Sequence, residues 1–216
     1  MSIKAFIFDL DGVIVSTDEY HFRAWKQVAD EETIYFDELI NERLRGVSRM
    51  ESLDIVLERA QKEYSQDEKA ALAERKNEYY KEYIKGLTCS DILPGVLNLL
   101  EELKKRGVKT AIGTSSKNSS LILEKIELNH HFDAVADGNG IKNSKPDPEV
   151  FLLAAKKLGL KPEECLVIED ADAGVEAAIA GNMKVLGVGS AYDNPKADYT
   201  CNDFRYISLN SILIEE

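Results

Sequence analysis

Cysteine is scarce and scattered. The 216-residue sequence carries Cys89, Cys165 and Cys201, with no Cys-x-x-Cys pair. An odd, dispersed set excludes a disulfide framework and a thiolate zinc site, and suits reduced thiols in a cytoplasmic protein. Basic charge is in deficit: 27 Lys and Arg stand against 39 Asp and Glu, for a net charge of −12 at pH 7. A nucleic-acid or anionic-membrane surface needs the opposite balance, so neither partner is expected. Long apolar runs are absent too, none approaching the roughly 20 residues that span a bilayer. Asp9 and Asp11 interrupt the first apolar stretch, which does not suit a signal peptide. No internal repeat, low-complexity tract or apolar interface helix stands out. The expectation is a cytoplasmic monomer, with one tension: an anionic substrate would have to enter an acidic molecule.

What is present is a rhythm of short strands and punctuated helices. Residues 4–10, 109–113, 133–136, 165–168 and 184–188 are apolar runs of strand length. Helices between them carry their own signals: Pro94 and Pro148 open two that stop at Gly107 and Gly159, and 171–180 stops at Gly181. This alternation predicts an α/β fold with a doubly wound, Rossmann-like parallel sheet. From about residue 17 to 85 no strand pattern appears. Ser48-Arg-Met-Glu51 and Ser65-Gln-Asp-Glu68 match the capping box at a helix start. The segment reads as about four helices forming an inserted helical-bundle cap domain. The expected division is a core of residues 1–15 and 92–216 and a cap of 16–91, linked near 14–16 and 86–93.

In an open parallel sheet, ligands bind beyond the carboxyl ends of the strands. Those ends carry Asp9 and Asp11; then Thr114, Ser115, Ser116, Lys117 and Asn118; then Lys145; then Glu169 and Asp170. These types suit phosphoryl transfer. Acidic residues from two strands can hold Mg²⁺, which prefers hard oxygen ligands. Lys145 and the metal would offset phosphoryl charge while Thr114 and nearby N–H groups bind its oxygens. Asp9 can act as nucleophile and Asp11, two residues on and on the same side, as general acid/base. Taken singly these features are bland. Asp-x-Asp is common in turns, a lone lysine is usually solvated, and Glu169-Asp170 could simply face a helix N-terminus. Four matched segments at strand ends carry the reading.

Asp9-Leu-Asp11-Gly12-Val13, flanked by Phe8, with Thr114-Ser115, Lys145-Pro146 and Glu169-Asp170, resembles the four motifs of the haloacid dehalogenase superfamily. The helical insert resembles that superfamily's cap. Residues 19–25, 46–49, 75–77 and 116–118 are similar to its sugar-phosphate mutases, over essentially the whole chain. The resemblance implies exchange of β-glucose 1-phosphate and glucose 6-phosphate through a 1,6-bisphosphate. It implies a phosphorylated Asp9, Asp11 as acid/base, and Mg²⁺ on Asp9, the Asp11 backbone carbonyl and Asp170, with Glu169 close by. Thr114, Ser115 and Lys145 would hold the transferring phosphoryl group. Arg49, in the Gly46-Val47-Ser48-Arg49 stretch, would hold the other phosphate with Ser116, Lys117 and Asn118. His21 and Lys76 would approach from the cap.

The residues support this independently. A mutase needs a second anion site, and Arg49 offers a planar fork in the first turn after the Ser48 cap. Alone, Arg49 and Lys76 read more readily as solvated helix residues, and His21 equally as a half-buried structural histidine. Trp25, the only tryptophan, suits either the site or packing between cap and core. Thr114, Ser115, Ala171 and Asp172 depart from the residues usual in such mutases. Two other readings remain: a sugar-phosphate phosphatase of the same superfamily, and a phospho-accepting signalling module, which needs neither a cap nor Asp11.

Overall fold

The computed structural model describes residues 2–213. Six strands form one sheet: β1 (Ala5–Phe8), β2 (Lys109–Gly113), β3 (Ala134–Ala136), β4 (Cys165–Glu169), β5 (Lys184–Gly187) and β6 (Tyr199–Thr200). All pairings are parallel, in the order β3-β2-β1-β4-β5-β6. The chain therefore winds outward from β1 in one direction and returns to wind in the other. β1 and β4 flank the switch point, with Phe8 beside Ile168.

Five helices follow the insert: α5 (Val96–Lys105), α6 (Ser119–Lys125), α7 (Glu149–Leu158), α8 (Asp172–Ala180) and α9 (Leu209–Leu213). The two-residue side-chain period of the strands divides the core between them. Phe6, Phe8, Ile112 and Ile168 pack with Leu99, Leu103 and Ile122 of α5 and α6. Ala5, Ile7, Ala111 and Val167 face Phe151, Ala154 and Val175 of α7 and α8. Because both faces of the sheet are covered, its strands read as continuous apolar runs.

The insert comprises α1 (Asp18–Glu31), α2 (Glu38–Glu42), α3 (Arg49–Leu57) and α4 (Gln66–Ile84). Both expected capping boxes form: Ser48 and Ser65 accept from the backbone N–H three residues on, and Glu51 and Glu68 reach back. Trp25, Val28, Phe36, Leu53 and Leu72 give the insert its own core. Trp25 packs there rather than between cap and sheet. The entering and leaving segments pair through Val15 and Ile92, and Leu93 N–H donates to the Ile14 carbonyl at 2.9 Å. No helix among the described residues is long and apolar enough to cross a membrane.

Candidate active site

A cavity of about 810 Å³ lies between the carboxyl ends of β1, β2 and β4 and the insert. Its lining includes every residue proposed from the sequence for catalysis, substrate or metal: Asp9, Asp11, His21, Trp25, Gly46, Val47, Ser48, Arg49, Lys76, Thr114, Ser115, Ser116, Lys117, Asn118, Lys145, Glu169 and Asp170. Its two ends differ in chemistry.

At the sheet end, Asp9 follows β1 and is buried with Lys145 and Glu169. The Lys145 ammonium donates to Asp9 Oδ1 and Glu169 Oε1. Burial alone would lower the lysine's pKa, but the two carboxylates outweigh it and hold Lys145 above its ordinary value. Asp9 shifts upward, first through burial and then through Glu169 and Asp11, with Lys145 opposing. Asp170 shifts upward for the same reasons: burial, then Glu169 and Asp9. Three carboxylates thus crowd one ammonium.

Two local features permit this crowding. Gly12 has φ +76°, and a Cβ there would sit 2.1 Å from Asp170 Oδ2, so only glycine lets the first loop approach that carboxylate. Glu169 Oε2 accepts from Ala171 N–H at 2.9 Å. With its other oxygen on Lys145, Glu169 has both carboxylate oxygens accepting hydrogen bonds.

Asp11 faces the start of α1. Its Oδ1 accepts from the Thr17 hydroxyl and from Thr17 N–H at 3.1 Å, while His21 Nε2 stands 3.8 Å from Oδ2. Burial raises the Asp11 pKa, but His21 and then Thr17 outweigh it, and the net shift is downward. Behind His21, Lys76 Nζ lies 2.7 Å from Nδ1. Burial and the neighbouring lysine depress the His21 pKa. A neutral ring accepting at Nδ1 presents Nε2–H toward Asp11. Lys76 is itself buried, pushed down to about 7 by burial and by Arg49, and backed by the faces of Trp25 and Tyr80.

The cap end is cationic and amide-rich. Arg49 opens α3 and is partly buried, which lowers its pKa. Its Nη2 donates to Asn77 Oδ1 at 2.8 Å, and Nη1 lies 3.5 Å from Glu74 at the rim. Facing it is the loop after β2. There Ser116 N–H donates to Thr114 Oγ1 at 3.2 Å and Asn118 N–H to Ser116 Oγ at 3.2 Å. These short-range bonds hold the loop open before α6, which begins at Ser119, with Asn118 at its N-cap rather than inside it. Lys117 is exposed. Ser115 Oγ is buried without a partner among the described residues.

Beyond the Thr17–Asp11 bonds at the start of the insert, two further side-chain bonds among the described residues join insert and sheet domain. Asn118 Nδ2 donates to Asn77 Oδ1 at 3.0 Å, and Arg45 donates to Ser190 Oγ at 3.2 Å while pairing with Asp18 at 2.6 Å. Sequence reasoning missed Thr17, Tyr80 and Asn77. The available signal for Asn77 was its place on the buried α4 stripe of Leu72, Ala73, Lys76, Asn77, Tyr80 and Ile84, where two polar residues interrupt an apolar face.

Comparison with known proteins places this arrangement. The chain is 43% identical over 216 residues to the beta-phosphoglucomutase of Bacillus subtilis, covering 99% of this chain and 95% of that protein. It is 34% identical to a phosphorylated carbohydrates phosphatase of Thermotoga maritima, covering 90% and 89%. The crystal structure of beta-phosphoglucomutase from Clostridium difficile superposes with a TM-score of 0.91 at 42% identity, covering 97% of this chain and 95% of that one. The model of the haloacid dehalogenase-like hydrolases matches residues 3–182. On that match and the full-length 43% identity, the chain belongs to the haloacid dehalogenase-like hydrolase family.

Proposed function

We propose that this protein is a phosphomutase that exchanges β-glucose 1-phosphate and glucose 6-phosphate through β-glucose 1,6-bisphosphate and a phosphorylated Asp9. The observation that carries the reading is the second, cationic end of the cavity, with Arg49 facing Ser116, Lys117 and Asn118 across from the carboxylates. A substrate with phosphate at either end needs both.

In this reading Lys145 holds one Asp9 oxygen and leaves the other to attack phosphorus. The phosphorus–oxygen bond to the sugar breaks as the bond to Asp9 forms. Asp11 handles the sugar oxygen. Its lowered pKa keeps it ionised near neutrality, the state needed to take the proton of the hydroxyl that attacks phospho-Asp9. It returns that proton to the leaving oxygen when the other phosphate is transferred back. Thr17 and His21 orient Asp11, and Lys76 fixes the tautomer of His21. Thr114 and the backbone after β2 bind the phosphoryl oxygens. Residues 16–91 act as the cap that keeps water from phospho-Asp9 while the bisphosphate turns round.

The donor set fits Mg²⁺. Asp9, the Asp11 carbonyl and Asp170 would supply hard oxygens. Burial, followed by the neighbouring carboxylates, raises the pKa of Asp9 and Asp170, so a bound cation would favour their ionised forms. No three His, Cys, Asp or Glu side chains among the described residues form a self-sufficient metal cage. Backbone, water and phosphate oxygens would complete the coordination, as Mg²⁺ prefers. When bound, the ion would neutralise charge on the transferring phosphoryl group.

The likeness to a carbohydrate phosphatase favours a second reading, hydrolysis of the same substrates. The two separate in one vessel containing β-glucose 1-phosphate, Mg²⁺ and a bisphosphate primer. Glucose 6-phosphate accumulating well ahead of inorganic phosphate is expected. Free phosphate without glucose 6-phosphate would sink the mutase reading.

A further inference from the structure

Asn77 belongs to the cavity lining, but none of the roles above uses it. It is buried on α4, and its Oδ1 accepts twice, from Arg49 Nη2 at 2.8 Å and Asn118 Nδ2 at 3.0 Å. One donor comes from the insert and the other from the sheet. An amide oxygen has two lone pairs, so these donors saturate it. Each donor keeps further N–H groups, and fixing one fixes the plane in which the others point. Asn77 is anchored by the packed stripe on either side of it, including Ala73 and Tyr80. Its neutrality matters as well. Glu74 already lies 3.5 Å from Arg49 Nη1 at the rim, and a second carboxylate at position 77 would offset more of the guanidinium charge, whereas an amide orients it without adding opposing charge.

We infer that Asn77 is a positioning residue for the distal phosphate. Its amide oxygen aligns Arg49 with Asn118 across the gap between insert and sheet, so the second anion site is complete only with the insert seated. This rests on the distal-phosphate reading proposed above. It adds that the site has a shared acceptor at its centre, contributed by neither of the phosphate-facing segments.

The test compares two substrates in steady state. β-Glucose 1-phosphate with saturating bisphosphate primer uses both ends of the cavity. Hydrolysis of p-nitrophenyl phosphate uses one. Asn77→Leu is expected to raise KM for the sugar phosphate about tenfold, the scale of a misaligned charge-assisted hydrogen bond, and to leave the aryl phosphate KM unchanged. Asn77→Asp keeps the acceptor oxygen and packing and should also raise the sugar phosphate KM, through its charge on Arg49. In an Arg49→Ala background, Asn77→Leu should cost less than it does alone. Equal losses on both substrates, or full additivity, would overturn the inference. If Arg49→Ala raises KM while both Asn77 variants leave it unchanged, the inference fails and the distal-phosphate reading stands. If Arg49→Ala itself changes nothing, that reading falls and the role of Asn77 with it.

Discussion

At the sheet end of the cavity, Asp9, Glu169 and Asp170 crowd around the Lys145 ammonium, and the carboxyls of Asp9 and Asp170 are driven upward. At the cap end, Arg49 and Lys76 are cations inside a partly or fully buried setting, and both are driven downward. At both ends burial is the first cause, so each holds ionisable groups against their charged forms. The sheet end fits a cation together with a phosphoryl group, and the cap end fits an anion. In the proposed function, a ligand with phosphate at both termini, together with Mg²⁺, would relieve both at once. The net charge of −12 therefore does not oppose an anionic substrate: the local fields, not the global one, receive it.

The largest expected effects lie at the sheet end. Asp9→Asn removes the proposed nucleophile and should lower turnover by at least about 10⁴-fold. Asp11→Ala should cost about 10²- to 10⁴-fold, the range of general acid–base catalysis, with substrate affinity kept. Steady-state kinetics on both variants checks the order. If the Asp11 loss equalled that of Asp9, acid–base work would not be its main contribution.

A smaller effect probes the cap end. Lys76 releases its proton near pH 7, whereas an unfolded lysine keeps it to about 10.4. Between those values the unfolded chain binds more protons, so the Lys76 contribution to stability rises with pH across that window. Lys76→Met should flatten the rise of the unfolding midpoint between pH 7 and 10. An unchanged slope would mean that Lys76 is not held against its charge.

How much of this was legible in the sequence depends on range. The strand-end residues were legible because a parallel sheet sends whatever follows each strand to the same edge. Both capping boxes were legible because their bonds span three residues. β6 was not: Tyr199–Thr200 is an edge pair of two residues, too short for an alternating pattern. Thr17 could not be assigned either. Its bond to Asp11 depends on the course of the loop after β1, and its bond to Tyr80, 63 residues away, on the packing of α1 against α4. Lys76 read more readily as a solvated lysine because charged neighbours such as Arg75 mask the buried stripe it sits on. The Glu169 bond to Lys145 was not legible, because it joins the end of β4 to a loop residue 24 positions away.

The central claim is that one cavity holds two unlike anion sites. A crystal structure of Asp9→Asn with Mg²⁺ and β-glucose 1,6-bisphosphate tests it most directly. The account predicts one phosphate beside residue 9, Thr114 and Lys145, and the other between Arg49 and the Ser116–Asn118 loop. A bisphosphate whose second phosphate lies in solvent, away from Arg49, would contradict it.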